Sequence, residues 1–359
     1  MKKTLISFLL GGYSMFAVAQ VPDPKEIPSY KPSIKIEGAI RLYGTDLKGQ
    51  MVVWEEAFSK YHPGVVWENS FATSSEGGIA GMYIGISDMA PMGDDAKITD
   101  VMPFWNVFHY LPTEYSVATG GYEKRGTLWA IQIVVNKDNP LTRLTMEQLD
   151  GIFGSERTGG WEGITYTGKY ARDASKNIRT WGQLGLKGDW ADKPIQTYGY
   201  NAPGFEIAVE RRLFHWTDKW NENYHEYVEE RMIPPGDPDG PKVQSERMYE
   251  ALSKDKYGIA WGPILHSKDY PNVKQIDLAW TSAGPYIPLT EANVQNRTYP
   301  FLRDAYIYLN QPSDRPLDPK VAEFMRFIYS REGQELVRGH GMYYPLPYSY
   351  IQQQMVKLK

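Results

Sequence analysis

The sequence predicts an α/β fold, in one large domain or two lobes, and three observations carry that expectation. Apolar segments of strand character alternate with segments of helical spacing along most of the chain. The length, 359 residues, suits one large domain or two lobes of about 150 residues each. The composition, 42% hydrophobic and 23% charged, is ordinary for a folded protein, so disorder is expected only at the ends.

The amino end reads as an export signal. Lys2 and Lys3 precede an apolar run from Leu5 to Leu10 that continues through Met15 and Phe16. Ala17-Val18-Ala19 then offers a small-residue cleavage site, with Gln20 as the expected mature start. The run is too short to span a bilayer, and a buried helix is the competing reading. Residues 20–36 carry Pro22, Pro24, Pro28 and Pro32 and are expected to form a stiff, extended leader.

The globular pattern starts at Ile36. Ile36 to Leu42 reads as a strand, Gly44-Thr45-Asp46 as a turn, and Gly49 to Tyr61 as a helix. That helix presents Met51, Val52, Trp54, Ala57 and Phe58 on an apolar face and stops at His62-Pro63-Gly64. Val65-Val66-Trp67 begins another strand, Ser74-Ser75 opens a second helix, and Ile86 to Met89 reads as a short buried strand. Further strands are expected at Trp129 to Val135, Tyr257 to Trp261 and Ala305 to Leu309. Thr145 caps a helix through Phe153, another helix starts near Glu206, and a final one runs from about Pro319 to Ser330. Gly154 to Gly160 and Pro234 to Pro241 are turn-rich loops.

Several chemistries are excluded or weakly supported. With no cysteine there is no disulfide, thiolate nucleophile, cysteine zinc site or lipid anchor on an amino-terminal cysteine. An exported protein without that anchor fits a Gram-negative periplasm. The formal charge of −4 gives no bulk attraction for nucleic acid. The six histidines show no metal spacing, since His225-Glu226 lacks the second histidine of a zinc-protease helix. No Gly-x-Ser-x-Gly elbow is present. Gly163 to Lys169 has the spacing of a phosphate-cradling loop, but Tyr170 replaces the magnesium-binding hydroxyl and no apolar strand leads into it. The expectation is a binding protein with no catalytic residues, metal or cofactor.

Ligands of open α/β sheets bind at the carboxyl ends of strands, and three loops qualify. Thr73 to Gly78 combines hydroxyls and glycines at a helix start, where free N–H groups face an anion; Ser74 or Ser75 serving only as a helix cap is the alternative. Asp88 ends a short apolar strand and can accept a hydrogen bond from a protonated oxyanion, or else closes a turn. Tyr198 to Phe205 leads through Tyr200, Asn201 and Gly204 into a helix, or is a plain connection.

Taken in order, these segments resemble the phosphate-type substrate-binding proteins of ABC transporters, over nearly all of residues 37–350. "FATSSEGGIAGMYIGISDMAPM", "IQIVVNKDNPL", "LTMEQLDGIF", "TWGQLGLKGDWADKPI", "YGIAWGPI" and "LDPKVAEFMRFIYSREGQELV" follow the family's order. The resemblance implies a two-lobed type II periplasmic-binding-protein fold with a ligand cleft between the lobes. It implies one lobe from 37–130 and 265–350, the other from 131–264, and capture of an oxyanion, most readily phosphate, by a monomer serving transporter permease subunits. It raises Thr45, Asp46, Ser74, Ser75, Asp88, Tyr200, Asn201 and Gly204 as ligand contacts. The family's second-lobe arginine and hydroxyl run are replaced here by Tyr200 and Ala202-Pro203-Gly204-Phe205. That departure favours a different, organic anion as the alternative, with Arg211 or Arg212 as distant substitutes for the missing charge. An exported phosphatase-like hydrolase is a third reading.

Overall fold

The computed structural model describes residues 21–71, 75, 77–123, 130–200, 205–227 and 244–358. The expected signal at 1–19 and the expected loop at Pro234 to Pro241 lie outside them. The described residues form a mixed α/β architecture around two five-stranded sheets.

The first sheet orders its strands Gly64–Phe71, Glu37–Gly44, Met89–Met92, Asp304–Leu309 and Thr113–Thr119. Glu37–Gly44 is parallel to both of its neighbours, and Asp304–Leu309 is antiparallel to both of its own. The second sheet orders Tyr224–Tyr227, Gln196–Tyr200, Gly258–Gly262, Gln132–Asn136 and Val273–Gln275, with Gln132–Asn136 antiparallel to its neighbours. Both sheets therefore share one plan. Three parallel strands are followed by an antiparallel strand reached directly from the other sheet, then by an edge strand.

Local sequence accounts for the pieces. Asp304–Leu309, Gly258–Gly262 and Gln132–Asn136 are buried along their whole lengths, as central strands covered on both faces must be. The helix Gln50–Tyr61 buries Met51, Trp54 and Phe58, three and four residues apart, and the Trp54 indole donates to the Gly333 carbonyl at 2.9 Å. Thr145 and Gln148 cap the helix Met146–Phe153 reciprocally, at 3.1 and 2.9 Å. The first core gathers Ile40, Leu42, Trp54, Phe58, Ile307 and Phe324. The second gathers Ile133, Trp181, Tyr200, Trp261, Leu278 and Phe301. Val273–Gln275, Leu289, Val294 and Phe301 thus belong with the second sheet, whose share of the chain runs past residue 264.

Four sequence expectations shift. The strand expected at Ile86 to Met89 is Met89–Met92, because Ile86 and Ser87 turn back to the Gly81 carbonyl. The second helix is Gly78–Tyr83 with Gly77, not a serine, at its cap. Pro319–Ile328 is not the last helix, since Ser330 caps Arg331–His340 and Tyr348–Met355 follows. Finally, the leader is strapped down. Ile27 and Tyr30 are buried, the Tyr30 hydroxyl donates to the fully buried Glu323 at 2.7 Å, and Ser33 donates to the same carboxylate through its N–H and hydroxyl. The Gly163 to Lys169 segment spans a turn between Gly160–Glu162 and Thr165–Thr167, and Lys169 pairs with Glu162 at 2.7 Å. Its phosphate-loop spacing is a coincidence.

Candidate functional site

The carboxyl ends of the three parallel strands in the first sheet lie at Gly44, Phe71 and Met92. The antiparallel strand Asp304–Leu309 begins at that same edge, because Tyr306 pairs with Met92. Thr45, Asp46, Gly93, Asp94, Asp95 and Arg303 therefore converge from three separate stretches of sequence. Gly44 is needed here: a Cβ would meet the Pro91 carbonyl oxygen at 2.2 Å. That close approach lets the Thr45 N–H donate to Pro91 at 2.8 Å.

Thr45 and Asp46 use their acceptors locally. The Thr45 hydroxyl oxygen accepts from the Leu47 N–H at 3.1 Å, and the Asp46 carboxylate from the Lys48 N–H at 2.9 Å. Gly49, Gln50 and Met51 send their N–H groups to the carbonyls of Asp46 and Leu47. The start of the helix Gln50–Tyr61 is thus closed onto its own turn, and the Thr45 hydroxyl proton remains as its donor. Ser75 is buried, and its oxygen accepts from the Gly93 N–H at 2.7 Å, which fastens the turn before Asp94. Ser74, Asn201 and Gly204 lie outside the described residues.

Asp88 does not join this edge. The three-residue shift in the strand leaves it at the amino end of Met89–Met92. There its carboxylate accepts from the Arg41 N–H at 3.0 Å and pairs with the Arg41 guanidinium at 2.6 Å. It fastens the amino end of Met89–Met92 to the middle of Glu37–Gly44. Tyr200 also departs from expectation. It ends the strand Gln196–Tyr200, but its ring is fully buried between Phe205 at 5.8 Å and Trp261 at 5.1 Å, so it fills the second core.

The groups that do meet are Asp94, Arg303 and Phe205, with Tyr343 within electrostatic reach of Asp94 and Arg303. The Arg303 guanidinium is 97% buried by side-chain area, pairs with the Asp94 carboxylate, and stands 4.8 Å over the Phe205 ring. A guanidinium over an aromatic face keeps its in-plane N–H groups for an oxyanion. Burial raises the Asp94 carboxyl above its ordinary value, and the Arg303 charge offsets part of that. Burial, then the negative charges of Asp94 and Asp46, push the Tyr343 hydroxyl up and keep it a neutral donor. Phe205 comes from the second sheet's loop, so the site is built from both halves of the fold.

Arg303 and Asp94 were not singled out by the sequence, where they stand 209 residues apart. The signal for Arg303 was a pair of charged residues, Arg303-Asp304, set between the apolar pairs Phe301-Leu302 and Ala305-Tyr306. Arg211 engages Asp95 and Glu114, and Arg212 engages Asp95.

No protein-family model matches the sequence. The phosphate-binding protein PstS of Pseudomonas aeruginosa is 29% identical over 343 residues, covering 95% of this chain and 93% of that protein. Protein SphX of Synechococcus elongatus is 26% identical over 223 residues, 61% of this chain and 54% of its own length. The crystal structure of PstS from Borrelia burgdorferi matches at a TM-score of 0.52 and 15% identity, covering 86% of this chain and 99% of that one, which shows a shared fold. Along nearly its whole length the chain is similar in sequence to a phosphate-binding protein, PstS, and it shares the fold of a solved PstS.

Proposed function

We propose that the chain captures phosphate between its lobes in the periplasm and hands it to the permease of an ABC transporter, with no bond chemistry. One observation carries the reading: a buried guanidinium, Arg303, is held beside Asp94 at the ligand-binding edge of the first sheet and beneath Phe205 of the second. Arg303 supplies the charge that the sequence had seemed to lack in the second lobe. The relationship to PstS of Pseudomonas aeruginosa along 95% of the chain supports the same ligand.

The pairing of acid and base gives a basis for selectivity. Arg303 donates charge-assisted hydrogen bonds to an oxyanion. Asp94 accepts one from a phosphate oxygen that still carries its proton, whereas fully ionised sulfate has none to offer and is repelled. Thr45 and Tyr343 add neutral donors. The division into lobes is read as residues 37–123 with about 303–358 against 130–302, and the protein as an exported monomer. A second reading, a phosphonate or other organic anion, is favoured only by the apolar Phe205 face. Calorimetric titration of the wild type and Asp94→Asn with phosphate, sulfate and methylphosphonate tests both. Phosphate should bind in preference to sulfate, and the variant should narrow that gap. Stronger binding of methylphosphonate would move the reading to organic anions; an unchanged phosphate-to-sulfate ratio would remove Asp94 from the site.

A further inference from the structure

Next to Asp94 the chain carries a second set of charges that the ligand site does not use. Asp95 is buried, and Arg211 and Arg212 each take one of its carboxylate oxygens, the latter at 3.0 Å. Arg211 also forms a two-pronged pair with Glu114, both bonds at 3.0 Å. The Tyr308 hydroxyl donates to Glu114 at 2.7 Å and in turn accepts from the Ala96 N–H at 2.9 Å. Tyr306 hydrogen-bonds to Asp95 as well. Two arginines thus face two carboxylates, with the remaining lone pairs occupied by hydroxyls.

The two sides of this network belong to different halves of the fold. Asp95 follows the strand Met89–Met92, and Glu114, Tyr306 and Tyr308 lie on strands of the first sheet. Arg211 and Arg212 end the helix Glu206–Arg212, whose Ala208 and Val209 are embedded in the second core. That helix also begins next to Phe205, the second-lobe group over Arg303. Among the described residues, the helix therefore touches the first lobe at both ends, once at the anion site and once at these ion pairs.

We propose that Arg211 and Arg212 are positioning residues for ligand capture, a charged latch that draws the second lobe onto the turn carrying Asp94 and Asp95. Parting the lobes leaves Asp95 and Glu114 without their arginine partners, so the latch biases the chain toward the closed arrangement. The apparent affinity for a ligand enclosed by both lobes scales with the population of that arrangement. Arg211 and Arg212 act through Asp95 and touch no ligand. Buried pairs are screened little by salt, so the bias persists at physiological ionic strength.

The inference rests on the phosphate reading for its affinity arm alone. Small-angle scattering of phosphate-free Arg211→Gln measures the latch without any ligand, and the radius of gyration should exceed that of the wild type. Saturating phosphate should return the variant to the wild-type value, with a Kd raised by about tenfold. If Arg211→Gln does not fold, Glu114→Gln, which removes a partly exposed charge from the same network, takes its place. An unchanged phosphate-free radius overturns the latch, and so does a wider particle whose phosphate Kd equals that of the wild type. Failure of the wild type to bind phosphate overturns the ligand reading and leaves the scattering comparison standing.

Discussion

Replacing Arg303 by Gln separates its two roles, as ligand contact and as partner of Asp94. The side chain is 3% exposed and lies between the Asp94 carboxylate and the Phe205 ring. A charge-assisted hydrogen bond is worth roughly 1.5–3 kcal/mol, so losing one weakens phosphate binding by about 10- to 150-fold. Stability falls as well. Breaking a buried pair costs about 3–5 kcal/mol when the remaining charge is trapped. Asp94 is less confined: its side chain is 24% exposed and its carboxyl is already shifted toward the neutral form. A loss of about 1–3 kcal/mol is therefore expected. Adding Asp94→Asn should restore much of that stability, since no charge is left unpaired, while binding stays weak. Urea denaturation and calorimetric titration of the wild type, both single variants and the double variant give all four corners of the cycle. A folded Arg303→Gln protein that binds phosphate as the wild type does would refute the assignment, and additive stability losses would refute the pairing.

Asp88→Asn should leave the preference for phosphate over sulfate unchanged and lower stability by about 1 kcal/mol, because the group is spent on Arg41 at the amino end of its own strand. Titration with both anions checks the first half and urea denaturation the second. Glu55 gives a pH dependence. Burial lifts its carboxyl from the ordinary 4.5 to about 7. Below 4.5 the group is neutral in folded and unfolded chains and its stabilising contribution is fully present. As pH rises toward 7, the unfolded chain ionises first and stability drops, by up to ~2 kcal/mol after allowing for partial solvation. Glu55→Gln, neutral throughout and able to keep its contact with Asn69, should flatten this slope in urea denaturation from roughly pH 5 to 8. A parallel curve would show that Glu55 ionises normally.

The alternation of elements was legible because burial imposes a period on each one, and the helix at Gln50–Tyr61 and the cap at Thr145 match their sequence signals. The strand near Asp88 was misplaced for a physical reason. Pro91 argues against a central strand because it has no N–H to donate. Here that deficit is tolerated where the ladder to Glu37–Gly44 has a single registered pair, Leu42 with Met89, and Pro91 contributes only its carbonyl, to Thr45. Reading the strand as ending at Asp88 put that carboxylate at the strand's carboxyl end, where the structure has Asp94 and Asp95, six and seven positions on. Arg303 was invisible for a different reason: its neighbour Asp94 is set by the antiparallel insertion of Asp304–Leu309, a long-range choice that no local pattern encodes. The resemblance reached the fold and the ligand class because colinear segments report topology. Of the side chains it raised, Thr45, Asp46 and Ser75 lie at or beside the carboxyl edge of the first sheet, while Asp88 and Tyr200 do not.

The strand Asp304–Leu309 has a consequence for how the chain acquires its structure. It lies between Met89–Met92 and Thr113–Thr119, strands that are synthesised far earlier and that have no direct pairing with each other. Until the last sixth of the chain is available, the two earlier strands have a gap between them, and Met89 and Tyr115 lack the Ile307 and Leu309 side chains that share their core. Closing that gap requires contacts of very long sequence separation, the kind that slow folding most. The first half of the protein is therefore held incomplete by its own topology until the second has been made.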